Sequence, residues 1–358
     1  MKKLVILKPS VNSKYHFGSG DLEKSDVIFH SSNLFSAIVN NFVLLYGEDY
    51  KEEINKKVEE LAENLRLSSL FIKIKNTFLL PKPEYPIFYL LKNENYMKIK
   101  PKDVKKIKFV TLKAYKEIVM EKLKEIGYGS KNYYINCLFD NNLDEYFNKR
   151  VTKSIFATEE EIEEIKNIEI FKRYDEEKNT IDRICERPAE GQLYKVEFIK
   201  FDKNVELYFI IDYPEYLNKE IQASIRLLAD EGLGGKRSIG SGHFEKVEIK
   251  DIKEFKDFNE LFNTQGELNI LLGVGIPKED EISNIKYYKL LELGGYIYST
   301  TKPELVTKHR RSLMALSEGS VVKAFEGCIK NVKPKNSSEN IHPVYTHGKP
   351  ITLPLVEK

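Results

Sequence analysis

Gly232-Leu233-Gly234-Gly235-Lys236-Arg237-Ser238-Ile239-Gly240-Ser241-Gly242 places five glycines and two adjacent cations in eleven residues. Glycine reaches backbone angles closed to other residues and lets a second chain approach closely. Successive N–H groups in such a loop form a concave nest for anions, and the guanidinium beside it adds a bidentate fork. Two nucleotide templates fail here. A P-loop sets Gly, four residues, then Gly-Lys-Ser/Thr, but Gly235-Lys236 is followed by Arg237 and the position five before Gly235 is Asp230. The dinucleotide fingerprint G-x-G-x-x-G meets Arg237 where its third glycine belongs, and this loop follows a helical pattern, not a strand. A nucleotide cofactor is therefore disfavoured, no cofactor is expected, and a polymeric phosphate ligand moves forward.

The flanking segments are patterned, which argues against a flexible linker. Val205 to Ile211 reads as a strand, and Pro214 opens a helix with Leu217, Ile221, Ile225 and Leu228 on one side. Beyond the loop, Phe244 to Ile249 reads as a strand. At the N-terminus, Leu4 to Leu7 is a strand and 12–20 a loop containing Tyr15, His16 and Phe17. A helix follows with Leu34, Phe35, Ile38, Val39, Phe42 and Val43 at helical spacing, and Ser31 or Ser32 suits its N-cap. A second amphipathic helix covers Tyr50 to Leu65, and Leu70 to Leu80 reads as one strand before Pro81-Lys82-Pro83. The two strand–helix–strand halves make a β-α-β-β-α-β unit of the ferredoxin-like kind, with the glycine-rich loop between its second helix and last strand. The expected fold is α+β: a ferredoxin-like domain over 1–250 interrupted by an insertion over about 84–192, a polar link over 251–266, and a second, degenerate ferredoxin-like domain over 267–358. In that last part Leu268 to Val274, Tyr296 to Tyr298 and Val321 to Ile329 read as strands, and Glu318-Gly319-Ser320 as a tight turn.

Composition bounds the function. The chain has 358 residues, 41% hydrophobic and 31% charged, which describes a folded protein rather than a disordered one. No run of about 18 apolar residues predicts a membrane span, and the apolar run after Lys3 is too short for a signal peptide. Cys137, Cys185 and Cys328 form no C-x-x-C pair, so neither zinc nor a disulfide framework is signalled and a cytoplasmic location is expected. His342 and His347 lack partners at metal-ligand spacing. The net charge of +2 requires any nucleic-acid contact to come from local patches. One such run is Lys102, Lys105, Lys106, Lys108, Lys113 and Lys116, which reads equally well as a solvated face or an RNA-facing surface. Thr158 and Glu161 have capping-box spacing ahead of a short acidic helix.

The loop pattern G-x-G-G-[KR]-x-S-x-G-x-G, carried in register by Gly232, Gly234, Gly235, Lys236, Ser238, Gly240 and Gly242, resembles the RAMP superfamily of CRISPR RNA-binding proteins. His30-Ser31-Ser32-Asn33-Leu34-Phe35-Ser36-Ala37-Ile38 is similar to that superfamily's first-helix motif. Ile181-Asp182-Arg183, Leu193-Tyr194, Glu318-Gly319-Ser320 and His342-Pro343-Val344-Tyr345 together resemble one branch, the fourth subunit of Csm-type (type III-A) effector complexes. The resemblance implies two ferredoxin-like domains and a non-catalytic subunit capping the end of the complex that holds the 5′ tag of the guide RNA, in antiviral defence. It implies contacts with guide tag and target RNA, the large polymerase-like subunit and the adjacent backbone RAMP subunit. It also implies a β-hairpin thumb, placed within Glu169 to Gln192.

The residues themselves agree with single-stranded RNA as ligand, because extruded bases stack on aromatics and a variable guide is held by its phosphates. Lys236 and Arg237 are the expected phosphate cations, with Gly234, Gly235, Ser238 and Gly240 offering close backbone or hydroxyl contacts. Ser32 and Asn33 are candidates for a second phosphate at the helix start. His16 and Phe17 are candidates for stacking on or hydrogen-bonding to tag bases. Arg310 and Arg311 suit RNA or a partner subunit equally. Asp182 and Arg183 are either RNA-facing or an ion pair at the base of the hairpin. The rival is a metal-independent endoribonuclease of the same superfamily processing repeat RNA, with His16 as general acid or base beside Tyr15 and Lys236.

Overall fold

The computed structural model describes residues 1–18, 23–85, 105–126, 149–182, 187–297, 308–334 and 342–357. Arg183, Lys102, Cys137, Cys185, Tyr298 and most of the 84–148 part of the insertion lie outside them. The architecture is α+β. Strand β1 (Lys2–Pro9) leads to helices α1 (Ser31–Tyr50) and α2 (Ile54–Asn64), then strands β2 (Arg66–Leu67), β3 (Phe71–Ile74) and β4 (Thr77–Pro81). The stretch expected as one strand, Leu70 to Leu80, is thus a hairpin, turned where Lys75 adopts φ 50°. β5 (Phe109–Thr111), β6 (Val151–Thr152) and β7 (Ile155–Phe156) follow, then α3 (Glu159–Ile165), β8 (Phe171–Asp182), β9 (Arg187–Phe201), β10 (Val205–Asp212), α4 (Asn218–Glu231) and β11 (Phe244–Asp251). Thr158 caps α3 with the full reciprocal box to Glu161.

Among the described residues the main sheet has nine strands in the order β11-β1-β10-β3-β4-β5-β7-β6, with β2 also on β10. Central β1 is antiparallel to both β10 and β11. Its alternating side chains face two cores, as the two-residue period of a strand requires. Val5 and Leu7 face α1 and α4, packing with Phe35, Ile38, Phe42, Ile221, Ile225 and Leu228. Leu4 and Ile6 face the other way and meet a second core. That second core also takes in parts of the C-terminal segment. α5 (Lys256–Asn263) places Phe258 and Leu261 in it, so the stretch expected as a polar link carries a packed helix. β12 (Gly266–Leu271) and β19 (Thr352–Glu357) add Leu268, Ile270, Leu353 and Leu355, in a sheet ordered β13-β16-β12-β19 with β13 (Ile285–Tyr287) and β16 (Val321–Val322). Two-stranded ribbons join β14 (Leu290–Leu293) to β15 (Leu313–Leu316) and β17 (Cys328–Asn331) to β18 (Tyr345–Gly348). Val321 to Ile329 is therefore not one strand: β16 stops early and β17 begins at Cys328, beyond Gly327 at φ 74°. Tyr296 contributes a single bridge to His309 instead of a strand. Among the described residues no helix is long and apolar enough to cross a membrane.

β8 and β9 pair with each other from Phe171↔Phe201 out to Asp182↔Arg187. Leu193 to Phe198 is thus the returning arm of a long hairpin and not a strand of the main sheet, to which β9 is tied by the bridge Tyr15↔Ile199. In the pairing register Asp182 lies at the far end of the hairpin, not at its base; Arg183, its expected partner, lies outside the described residues.

Candidate nucleic-acid interface

Three segments meet along the inner part of the hairpin: the loop after β1, the glycine-rich loop after α4, and the rungs of β8 and β9 from Phe171↔Phe201 out to Lys178↔Tyr194. Gly242 donates to the Lys14 carbonyl at 2.8 Å, Gly235 donates to the His16 carbonyl at 2.8 Å, and Leu233 donates to Gly242 at 3.0 Å. The glycines are explained by this closeness. A Cβ on Gly234 (φ +93°) would lie 2.4 Å from the His16 carbonyl oxygen, and one on Gly242 (φ +88°) would lie 2.3 Å from that of Leu233. Gly240 is different: at φ +83° it has open space around it, so its conformation alone calls for glycine.

Lys236 itself sits in the left-handed region at φ 63°. Its Nζ lies 4.8 Å from the centroid of the Tyr194 ring on β9 and donates to the Tyr194 hydroxyl at 3.3 Å. Arg237 turns back to the end of α4, with Nη1 at 3.5 Å from the Glu231 carboxylate. Ser238, Ile239 and Gly240 form the exposed lip of the loop. Beside it, Lys14 donates to both oxygens of Glu176 at 2.6 and 2.7 Å and lies over the Phe198 ring at 4.5 Å. Lys178 reaches the same carboxylate at 2.6 Å. Burial would raise the Glu176 pKa, but the Lys14 and Lys178 ammonium groups outweigh it and hold the carboxyl below its usual range. Arg173 pairs with Glu197 at 2.5 Å and donates to the Ser25 carbonyl at 2.6 Å, fixing the loop after β1 against the hairpin.

Several expected contacts are corrected. Phe17 is 2% exposed and packs against Tyr15, Phe29 and Phe201, so it belongs to the core and offers no base a stacking face. His16 is 4% exposed, with Nδ1 on the Glu197 carbonyl at 2.8 Å and its ring against Gly235. It is a spacer beneath the loop. The Gly235 N–H expected to face a phosphate is committed to His16. Ser32 is fully buried, and no hydrogen-bond partner meets its hydroxyl. The N-cap of α1 is His30, which makes no side-chain cap bond, in place of Ser31 or Ser32.

The first-helix motif does other work. His30 Nδ1 meets Glu318 Oε1 at 2.8 Å, and the Ser69 hydroxyl donates to the same carboxylate. The Ser31 N–H donates to Ser69 Oγ at 2.8 Å, and the Ser31 hydroxyl accepts from the Val274 N–H at 2.8 Å. Burial alone would push His30 down and Glu318 up; their mutual attraction instead carries His30 above 6.5 and Glu318 to about 2. The motif and the Glu318-Gly319-Ser320 turn are thus two halves of a buried clasp between the front and rear of the molecule. Asn33 accepts a 3.4 Å bond from Arg310 Nη2, whose guanidinium also donates to the Gly294 carbonyl at 2.7 Å. Arg310 braces that seam, whereas Arg311 is exposed and donates to the Asn331 carbonyl. Within the basic run, Lys113 pairs with Glu160 and Lys116 with Asp257 and Glu260.

Sequence reading passed over Lys14, Glu176 and Lys178, and took Tyr194 as part of a family motif and not as a contact residue. The signal was present in the period-two rows Tyr174-x-Glu176-x-Lys178 and Tyr194-x-Val196-x-Phe198, which mark one face of a hairpin.

Comparison with known proteins adds the following. The RAMP superfamily model matches residues 10–245, and the model for the CRISPR Csm4 C-terminal domain matches residues 264–355. A CRISPR system Cms protein Csm4 of Methanocaldococcus jannaschii is 47% identical, over 99% of this chain and 98% of that one. The crystal structure of a Csm3–Csm4 subcomplex in the type III-A CRISPR-Cas interference complex is similar at TM-score 0.66 and 43% identity, covering 98% of this chain and 99% of that one. The crystal structure of a Csm1–Csm4 cassette in complex with pppApA shares the fold at TM-score 0.54 and 19% identity, covering 99% of this chain and 97% of that one.

Proposed function

Because the chain belongs to the RAMP superfamily, and within it to the Csm4 proteins of CRISPR systems, we propose that it is the non-catalytic subunit that caps the guide-RNA end of a type III-A Csm complex. In that position it grips the 5′ tag, follows the guide–target duplex, and joins the backbone RAMP subunit to the large polymerase-like subunit. The similar Csm3–Csm4 and Csm1–Csm4 assemblies support those two partners. The order β11-β1-β10-β3, with α1 and α4 on one face, supports a ferredoxin-like reading of residues 1–250. The separately matched C-terminal segment supports a second unit over 267–358. The long β8–β9 hairpin is our candidate for the thumb that distorts the duplex.

One observation carries the RNA reading: the exposed lip Ser238–Gly240 adjoins Lys236, which lies against Tyr194 of the hairpin, and Arg237, on a loop whose closed geometry is set by glycines. Arg311 serves as a further cation for RNA or a partner subunit; Asn33 and Arg310 act by bracing the seam. The rival cleavage reading finds its histidine buried under Gly235 and the Tyr15 phenol bonded to the His243 carbonyl, with burial pushing that phenol's pKa up. The test replaces Lys236 and Arg237 by alanine together in the assembled complex. Guide binding is expected to weaken and its salt dependence to become shallower. Unchanged affinity and slope would leave a subunit that only joins proteins.

A further inference from the structure

The face of the hairpin that looks onto the two loops is set by the pairing register. Directly opposed antiparallel residues point the same way, as do next-but-one residues along a strand. Tyr174 opposes Phe198, Glu176 opposes Val196, and Lys178 opposes Tyr194. Phe198 and Val196 are fully buried, so this face is anchored at its root and opens outward toward Lys178 and Tyr194. The acidic neighbours Asp175 and Glu177 alternate onto the opposite face. Lys14 comes onto the row from the loop after β1 and Lys236 from the glycine-rich loop. Two ammonium groups, Lys14 and Lys178, therefore hold one carboxylate, and a third, Lys236, lies over the Tyr194 ring on the strand opposite Lys178. Glu176 binds Lys14 through both oxygens and Lys178 through Oε2, while Lys236 donates to the hydroxyl of Tyr194.

We propose that Lys14, Lys178 and Lys236 form a seat for one phosphodiester of single-stranded RNA on this face of the hairpin, and that Glu176 occupies this seat in the free protein. The inference rests on the RNA-binding reading above. A phosphodiester presents two anionic oxygens on one atom, the arrangement that the Glu176 carboxylate now offers to Lys14 and Lys178. The side chains of Lys14, Glu176 and Lys178 are 21%, 27% and 29% exposed, so they are open enough to exchange partners yet shielded from full screening. Tyr194 is a positioning residue: it holds Lys236 beside Lys178 and presents an aromatic face to a neighbouring base. The seat thereby ties the loop of the first unit to the hairpin through the RNA itself.

The test measures the anisotropy of a short fluorescein-labelled single-stranded RNA with the full chain across a salt series. Glu176→Gln is expected to tighten binding roughly three- to tenfold at low salt, because a competing charge leaves the seat. It is also expected to steepen the slope of log affinity against log salt by about 0.7, the increment for one phosphate contact on a single strand. Lys14→Ala and Lys178→Ala weaken binding and flatten the slope. A Glu176→Gln chain that melts normally but binds RNA no better, with an unchanged slope, overturns the seat. Should that variant unfold, lysine acetylation of the wild-type chain decides: the RNA probe protects Lys14 and Lys178 if the seat is real, and leaves them unprotected if it is not. Loss of binding in the Lys236, Arg237 double variant with no response at Glu176 rejects the seat and keeps the loop's RNA role. No response from either rejects both.

Discussion

Gly234 and Gly240 separate the two reasons for glycine in the same loop, and alanine at each is expected to cost different amounts. At Gly240 the new Cβ meets nothing within 4 Å, so the loss is the left-handed backbone penalty, about 1 kcal/mol. At Gly234 the same penalty applies, and the Cβ lands 2.4 Å from the His16 carbonyl oxygen and 3.1 Å from Phe17 Cδ1. Relief requires the loop to back away by roughly 1 Å, enough to unmake the Gly235–His16 hydrogen bond, which contributes about 1 kcal/mol, and to add an overpacking cost of about 1–3 kcal/mol. The sum is about 3–5 kcal/mol for Gly234→Ala against about 1 kcal/mol for Gly240→Ala. Guanidinium unfolding read by tyrosine fluorescence suits a chain with 21 tyrosines and no tryptophan. Gly240→Asn should recover part of the Gly240→Ala loss, since asparagine tolerates the left-handed region. Gly234→Ala should also weaken RNA binding by moving Lys236 off Tyr194, whereas Gly240→Ala should not. Equal destabilisation at the two positions would refute the assignment of Gly234 to close approach and Gly240 to conformation.

The His30–Glu318 clasp predicts a pH window. His30 titrates above its ordinary 6.5 in the folded chain, so its contribution is complete below 6.5 and fades as pH rises through the raised value. Glu318 titrates at about 2 instead of 4.5, so its contribution is complete above 4.5 and fades as pH falls toward 2. The pair therefore contributes most between 4.5 and 6.5. His30→Ala, which strands a buried carboxylate, should lower stability by about 3–5 kcal/mol and flatten this profile in melts across pH; a variant that melts like the wild type at pH 6 would contradict the pairing. Thr158→Ala should cost about 1 kcal/mol through loss of the α3 cap, seen as faster hydrogen exchange confined to that helix. Repeat RNA incubated with the purified chain in chelator should remain intact; metal-independent products that disappear in His16→Ala would restore the catalytic reading of His16.

Much of the first unit was legible in the sequence because its signals are local. The strand β1, the helices α1 and α4, and the glycine-rich loop before β11 each follow from spacing within about twenty residues, and the loop motif named the superfamily. The capping box at Thr158 was legible for the same reason. The hairpin was legible in kind but not in extent: the period-two pattern runs from Phe171 to Phe201, and nothing in it says that Leu193 to Phe198 pairs with β8 instead of the main sheet. Tertiary structure alone decided which side of each motif faces solvent. Phe17 and His16 look like ligand-facing residues in a polar loop, yet Phe201 and Gly235, far along the chain, cover them. His30-Ser31-Ser32 looks like an anion-binding helix start, yet Glu318, Ser69 and Val274 use His30 and Ser31, and Ser32 is buried. Local periodicity specifies an element and its apolar stripe. The partner that buries a polar group is chosen by contacts across hundreds of residues, where no local pattern carries the information, and such contacts set half-buried Lys236 against Tyr194 of the hairpin.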